Sequence, residues 1–268
     1  MLKKLFRYDM KALTRTLLPL SLATLGCGIL LLLSQLAMRF APETGMFSVL
    51  MPLLFGMLIF FGSVASLLLP VVGEFFILHR YYKNFFTDEG YLTFVLPATM
   101  DEQLASKILS GFLWSLLSSL ATVAAFIIGF YVPTLWSEGS GLMIVKALVA
   151  EFTSDINTAS LLILLIVSLL ASLLTQLILF YVSITLGSLL MSKHKIVGSV
   201  LFYFVTNTVS NIFSSIFATI FTFLSAISQS TAFMLMMSLA SSIVINLVLA
   251  VAGYFFILRL FKKRLNLE

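Results

Sequence analysis

Glu74 is the one acidic residue within an apolar run of this 268-residue chain. A carboxylate in hydrocarbon is costly unless it is paired or neutralised, so such a group carries either a partner or a function. Two chemistries are open to it. Five residues before His79 and six before Arg80, near the end of its run, it can pair with Arg80 or Lys107 in a structural role. Alternatively, it can take up and release a proton.

A second group of polar residues lies further along. Asn207, Ser210, Asn211 and Ser214 share one face at helical spacing, flanked by Thr206 and Ser215. Hydroxyl and amide groups on such a face let helices approach and hydrogen-bond in lipid, and they would equally line a path for an amphipathic cargo. The Ser-rich faces around Ser115 to Thr122 and Ser238 to Asn246 read as packing.

Other chemistries find no residues to carry them. The chain has no GxxxxGK[ST] phosphate loop, no HExxH and no CxxC. Its two histidines, His79 and His194, fall on different connections, and its single cysteine, Cys27, sits among leucines. No catalytic, cofactor-binding or metal-ligating residues are therefore expected.

The elements that position these residues follow from composition. Hydrophobic residues make up 60% of the chain and charged residues 10%, with a mean hydropathy of +1.12. Apolar runs of 20 residues and more exclude a β-barrel, whose segments alternate, and predict an all-α polytopic membrane protein with six transmembrane helices. Residues 1–16 form an N-terminal amphipathic helix, with Leu2, Leu5, Phe6, Met10 and Leu13 opposite Lys3, Lys4, Arg7, Lys11 and Arg15. It either lies on the membrane surface or simply orients the first span. The run that follows is too long for a signal sequence and is expected to be retained.

The spans fall at about 17–38, 46–78, 108–132, 161–190, 198–220 and 234–258, within a single transmembrane domain covering 1–268. The 33 residues of the second exceed the bilayer core, so that helix must tilt, kink at Pro52 or Pro70, or protrude. Residues 133–160 form an outer segment that is too short and too charged to cross. The polar cluster Ser225 to Thr231 leaves room for a short re-entrant pair of helices between the last two spans.

With both termini inside, fourteen Lys and Arg lie on the inner side, against Arg39 and Lys146 on the outer. This asymmetry predicts a multi-pass protein of the cell membrane with cytoplasmic termini. The net charge of +5 then reflects orientation and anionic headgroups, and no water-soluble region is left to carry a nucleic-acid surface.

The longest water-compatible stretch is 79–107, HRYYKNFFTDEGYLTFVLPATMDEQLASK, carrying Arg80, Lys83, Asp88, Glu89, Asp101, Glu102 and Lys107. Charges of both signs beside a membrane point to a protein partner, since anionic lipid needs only the basic ones. Tyr81, Tyr82, Phe85 and Phe86 continue the preceding helix, and Gly90 is placed to stop it in a left-handed cap. Leu92, Phe94, Val95 and Leu96 form a hydrophobic knot, Pro97 breaks any helix, and Thr99 with Glu102 matches a capping box.

The run YYKNFFTDEGYLTFVLPATMDEQLASKIL resembles the first cytoplasmic loop of permease subunits of type-2 ATP-binding-cassette (ABC) transporters of Gram-positive bacteria. Lys83, Asp88, Glu89, Gly90, Tyr91, Leu92, Thr93, Leu96, Pro97, Leu104 and Lys107 carry the match, about a tenth of the chain. The resemblance implies a permease of the bacterial plasma membrane that pairs with a second permease subunit, the same or a sister chain. It also implies a separate ABC-type nucleotide-binding ATPase subunit, holding ATP and Mg, bound at an ATPase-coupling loop of Lys83, Asp88, Glu89, Gly90, Tyr91, Leu92, Phe94 and Pro97. Cargo would move outward, past Asn207, Ser210, Asn211 and Ser214. The outer segment 133–160 is longer than the family pattern. An ion- or proton-driven secondary carrier, for which Glu74 is the candidate group, and a membrane anchor for a cytoplasmic complex are the competing readings.

Overall fold

A computed structural model describes residues 1–40, 44–95, 97–133, 143, 146, 150, 158–191, 194–225 and 231–264. The described residues are helical, without strands. In chain order the helices are α1 (Leu2–Arg39), α2 (Phe47–Phe86), α3 (Asp88–Val95), α4 (Met100–Phe126), α5 (Thr158–Leu190), α6 (Lys195–Ser225) and α7 (Thr231–Arg264). A π-helical turn, Ile127–Tyr131, continues α4. All of these except α3 are long and apolar enough to cross a membrane, which gives the six spans of a polytopic membrane protein. Their outward faces are covered with exposed Leu, Ile, Val and Phe, a surface that hydrocarbon tolerates and water does not.

The helices are longer than the apolar runs alone suggest. The amphipathic segment 1–16 and the first span form one continuous helix, α1, with Pro19 inside it. α2 likewise runs unbroken for 40 residues with Pro52 and Pro70 inside. α6 and α7 leave only residues 226–230 between them, so the expected re-entrant pair of helices has no room. Residues 226–230 of the polar cluster lie outside the described residues; the hydroxyls of α6 ahead of it bond back along the helix, Ser215 to Asn211 O at 2.7 Å, Thr219 to Ser215 O at 2.8 Å and Thr222 to Ala218 O at 2.7 Å. A hydroxyl satisfied in this way sits in an apolar helix at little cost.

The chain divides into two compact units, with α1, α2 and α4 contributing to both. One unit contains 7–77 and 113–151. There the backbones of α1 and α4 touch: a Cβ added to Gly28 would lie 2.6 Å from Ala125 Cα, and one added to Gly129 would lie 2.8 Å from Leu31 Cβ. Small residues at a membrane helix crossing permit this approach. Arg39 donates to the Pro133 carbonyl, satisfying an acceptor beyond the π turn.

The other unit contains 1–6, 78–112 and 152–268. Its centre is the trio α5, α6 and α7, each packed on the other two. Thr175 Oγ1 donates to Asn246 O at 2.8 Å, Ser183 and Thr206 share a hydrogen bond of 2.7 Å, and the Phe180 and Tyr203 rings stack at 4.5 Å. Gly187 admits the start of α6, since a Cβ there would come within 2.2 Å of Ser199 N.

Candidate functional site

The stretch 79–107 belongs wholly to the unit built on α5, α6 and α7. Its first residues are the last turns of α2, as the aromatic periodicity predicts. The stop is not at Gly90. α2 ends at Phe86, and Thr87 makes the turn: its hydroxyl donates to Lys83 O at 2.5 Å, and its carbonyl accepts Gly90 N at 2.8 Å as α3 opens. Gly90 lies in the first turn of α3 without a positive φ; among the described glycines only Gly45 has one, at 91°. Glycine is needed there for a different reason. A Cβ at residue 90 would lie 2.8 Å from Phe85 O, so its absence lets α3 fold back closely against the end of α2.

The hydrophobic knot is also helical, as α3. Asp88, Tyr91, Leu92 and Phe94 lie on that helix with their side chains outside the described set, and Leu96 lies outside the described residues. Lys83 and Glu89, both half-exposed, pair at 2.7 Å between the last turn of α2 and the first of α3. Pro97 is exposed in the bend that follows. The capping box is present in both directions: Glu102 N donates to Thr99 Oγ1 at 3.3 Å and Thr99 N to Glu102 Oε2 at 3.2 Å.

Five further residues hold the segment, and sequence reasoning missed them all. Tyr81 is fully buried with its ring stacked on Tyr181 of α5, centroids 4.0 Å apart and planes at 7°. The Tyr81 hydroxyl shares a 2.8 Å hydrogen bond with Thr185, and Tyr181 donates to Lys107 O at 3.3 Å. Phe85 and Phe86 pack on Phe261 of α7 at 5.3 and 5.9 Å. Lys195, at the start of α6, donates to Phe86 O at 3.3 Å and so satisfies a terminal carbonyl of α2. Gln103, buried in the first turns of α4, donates to Thr93 O at 2.9 Å and to Ala98 O at 3.4 Å, which ties α4 back to α3. The segment is thus held at both ends by α5 and additionally by α6 and α7.

The polar stripe of α6 is of another kind. Ser210 is buried, Asn207 and Ser214 are half-buried and Asn211 is exposed. Thr206 and Tyr203, one turn earlier, take up the hydrogen bonds to α5, from Ser183 and from Gln176 at 3.0 Å. Neither asparagine amide bonds to a described residue.

Glu74 lies in the other unit, while Arg80 and Lys107, the cations expected beside it, do not. The Ser115 hydroxyl lies beside its carboxyl, and that buried oxygen has no partner in full hydrogen-bonding geometry among the described residues. Among the described residues, no three His, Cys, Asp or Glu side chains gather closely enough to hold a metal ion. Comparison of the chain with protein-family models, with curated proteins and with solved structures found no match.

Proposed function

We propose that this chain is the membrane subunit of an ATP-driven exporter of the ABC type. In this reading it forms the translocation path together with a second permease subunit and takes its movement from a separate ATP-binding subunit docked on 79–107. The observation that supports it is the attachment of that segment. A short helix with Asp88 and Glu89 in its first turn follows α2 after Thr87 and is tied to α4 by Gln103, and the end of α2 beside it is anchored to α5 by Tyr81 and Tyr181, to α7 by Phe85, Phe86 and Phe261, and to α6 by Lys195. Packed elements of this kind move as bodies, so displacement of α3 by a bound partner is delivered to the helices instead of being absorbed. The face of α6 with half-buried Asn207 and exposed Asn211 supplies polar groups for a cargo along a helix that receives this movement directly.

The reading places the chain in a bacterial plasma membrane with both termini cytoplasmic, and puts ATP and Mg on the partner. Purified alone, the chain hydrolyses no ATP; co-expressed with an ABC-type ATPase subunit, it changes the ATPase rate of that subunit. Replacing Phe85 and Phe261 by alanine leaves the partner bound but breaks the link between hydrolysis and transport. A double variant that binds and transports at the normal rate removes 79–107 as the coupling element.

A proton-driven carrier has one observation in its favour, the Glu74 carboxyl beside Ser115 within a span. Glu74→Gln separates the two: it abolishes proton-coupled movement and leaves an ATP-driven exporter working.

A further inference from the structure

One face of α1 is cationic at one end and aliphatic along the rest. At 3.6 residues per turn, positions 7, 11, 15, 18, 22, 29 and 33 fall within an arc of about 80°. They are Arg7, Lys11, Arg15, Leu18, Leu22, Ile29 and Leu33, and every one is exposed. The change from cation to hydrocarbon occurs between Arg15 and Leu18, where Leu18 is 45% and Leu22 58% exposed. No described residue pairs with or hydrogen-bonds to the Arg7, Lys11 or Arg15 side chains. The acid of this part of the helix, Asp9, is 5% exposed and lies on the opposite side with Leu13, Leu17 and Thr24. The outward face therefore carries at least three positive charges that no described residue balances, directly adjoining an aliphatic strip on the same rigid helix.

The dimensions match one kind of molecule. From Leu18, a leaflet of about 15 Å extends along α1 to about residue 28, the length of one acyl chain. Arg15 and Lys11 stand about 4 and 10 Å beyond Leu18, at the depth of the phosphate and headgroup. A soluble anion would use only the basic end and a neutral lipid only the aliphatic one; a phospholipid with a net negative headgroup uses both. We infer that this face of α1 is a binding site for an anionic phospholipid, its headgroup held by Arg15, Lys11 and Arg7 and its acyl chain laid along Leu18 and Leu22. The site does not depend on an ATP-driven partner, because every residue in it belongs to α1.

The test uses the purified full chain titrated with phosphatidylglycerol, with phosphatidylcholine of the same acyl chains, and with inorganic phosphate, read as a shift in thermal stability. Binding to the folded state alone raises the midpoint in proportion to site occupancy. Phosphatidylglycerol stabilises the wild-type chain at concentrations where phosphatidylcholine and phosphate do not. Each basic residue near an anionic headgroup contributes roughly a fivefold factor in affinity, so Lys11→Gln weakens phosphatidylglycerol about fivefold and the triple variant of Arg7, Lys11 and Arg15 to Gln on the order of a hundredfold. All three side chains are exposed, so the variants fold, and their unliganded midpoint confirms it. Leu22→Ser weakens phosphatidylglycerol and leaves phosphate unaffected. Equal stabilisation by the two lipids, competition by free phosphate at equal concentration, or a triple variant that keeps the preference would each overturn the site.

Discussion

The segment 79–107 and the polar face of α6 belong to the same compact unit and both put polar groups beside an apolar bundle, yet they treat those groups in opposite ways. In the segment, helix ends and hydroxyls are matched: Lys195 takes the Phe86 carbonyl, Gln103 the Thr93 and Ala98 carbonyls, Thr185 the Tyr81 hydroxyl, and Thr99 with Glu102 close the cap. On α6, the asparagines sit half-buried and exposed without a described partner. Groups matched in this way fix geometry, because leaving a buried member unpaired costs more than the bond itself contributes; among the described residues the buried Gln103 Oε1 is the network's unmatched acceptor. Unsatisfied amides on a membrane helix are presented to something else. The first region is thus suited to transmit movement and the second to meet a cargo or another chain.

The sharpest way to break the first region is at its foundation. Gly187→Ala forces a Cβ to within 2.2 Å of the Ser199 backbone, which cannot yield without separating α5 from α6. A loss of about 3 kcal/mol or more follows, seen as a lowered unfolding midpoint in detergent and as poor recovery from membranes. Gly26→Ala and Gly56→Ala, where nothing lies within 4 Å, serve as controls and leave the midpoint unchanged or slightly raised. Tyr181→Ala removes a fully buried ring from the Tyr81 stack together with the bond to Lys107 O, at a cost of about 3 kcal/mol, whereas Tyr181→Phe removes the hydroxyl alone and costs about 1 kcal/mol. If the two substitutions prove equal, the stack is not what secures the segment.

A smaller effect is expected at the cap. Thr99→Ala opens the start of α4 and raises hydrogen exchange of its first-turn amides about fivefold, with α2 and α5 unaffected. Smallest in stability is the α6 face. Asn207→Leu with Asn211→Leu shifts the midpoint by less than about 1 kcal/mol, since neither amide has a described partner to lose, while cargo movement falls. A double variant that fails to assemble would show that the asparagines hold a helix contact instead.

What the sequence reveals here depends on the range of the interaction. The spans are legible because hydrocarbon demands long apolar helices, and the capping box is legible because Thr99 and Glu102 lie three residues apart. Tyr181, Thr185, Lys195 and Phe261 are not legible as parts of the site. They meet Tyr81 to Phe86 across about a hundred residues of chain or more, and nothing local marks one apolar aromatic as a contact and another as lipid-facing. Gly90 illustrates a subtler limit: glycine serves both a left-handed cap and a close backbone approach, and the two needs look alike in sequence. The polar cluster Ser225 to Thr231 suggests room for an extra pair of helices, yet α6 runs as far as Ser225, its Ser215, Thr219 and Thr222 hydroxyls finding acceptors one turn back.

The central claim, that 79–107 passes movement from an ATP-binding subunit to the spans, is tested most directly by measuring transport and ATP hydrolysis together in vesicles holding the chain and its co-expressed ABC-type ATPase subunit. The account predicts that Phe85→Ala with Phe261→Ala keeps the ATPase subunit bound and hydrolysing while transport per ATP falls at least tenfold. Unchanged transport per ATP in that variant, with both rings gone and the complex intact, would contradict it.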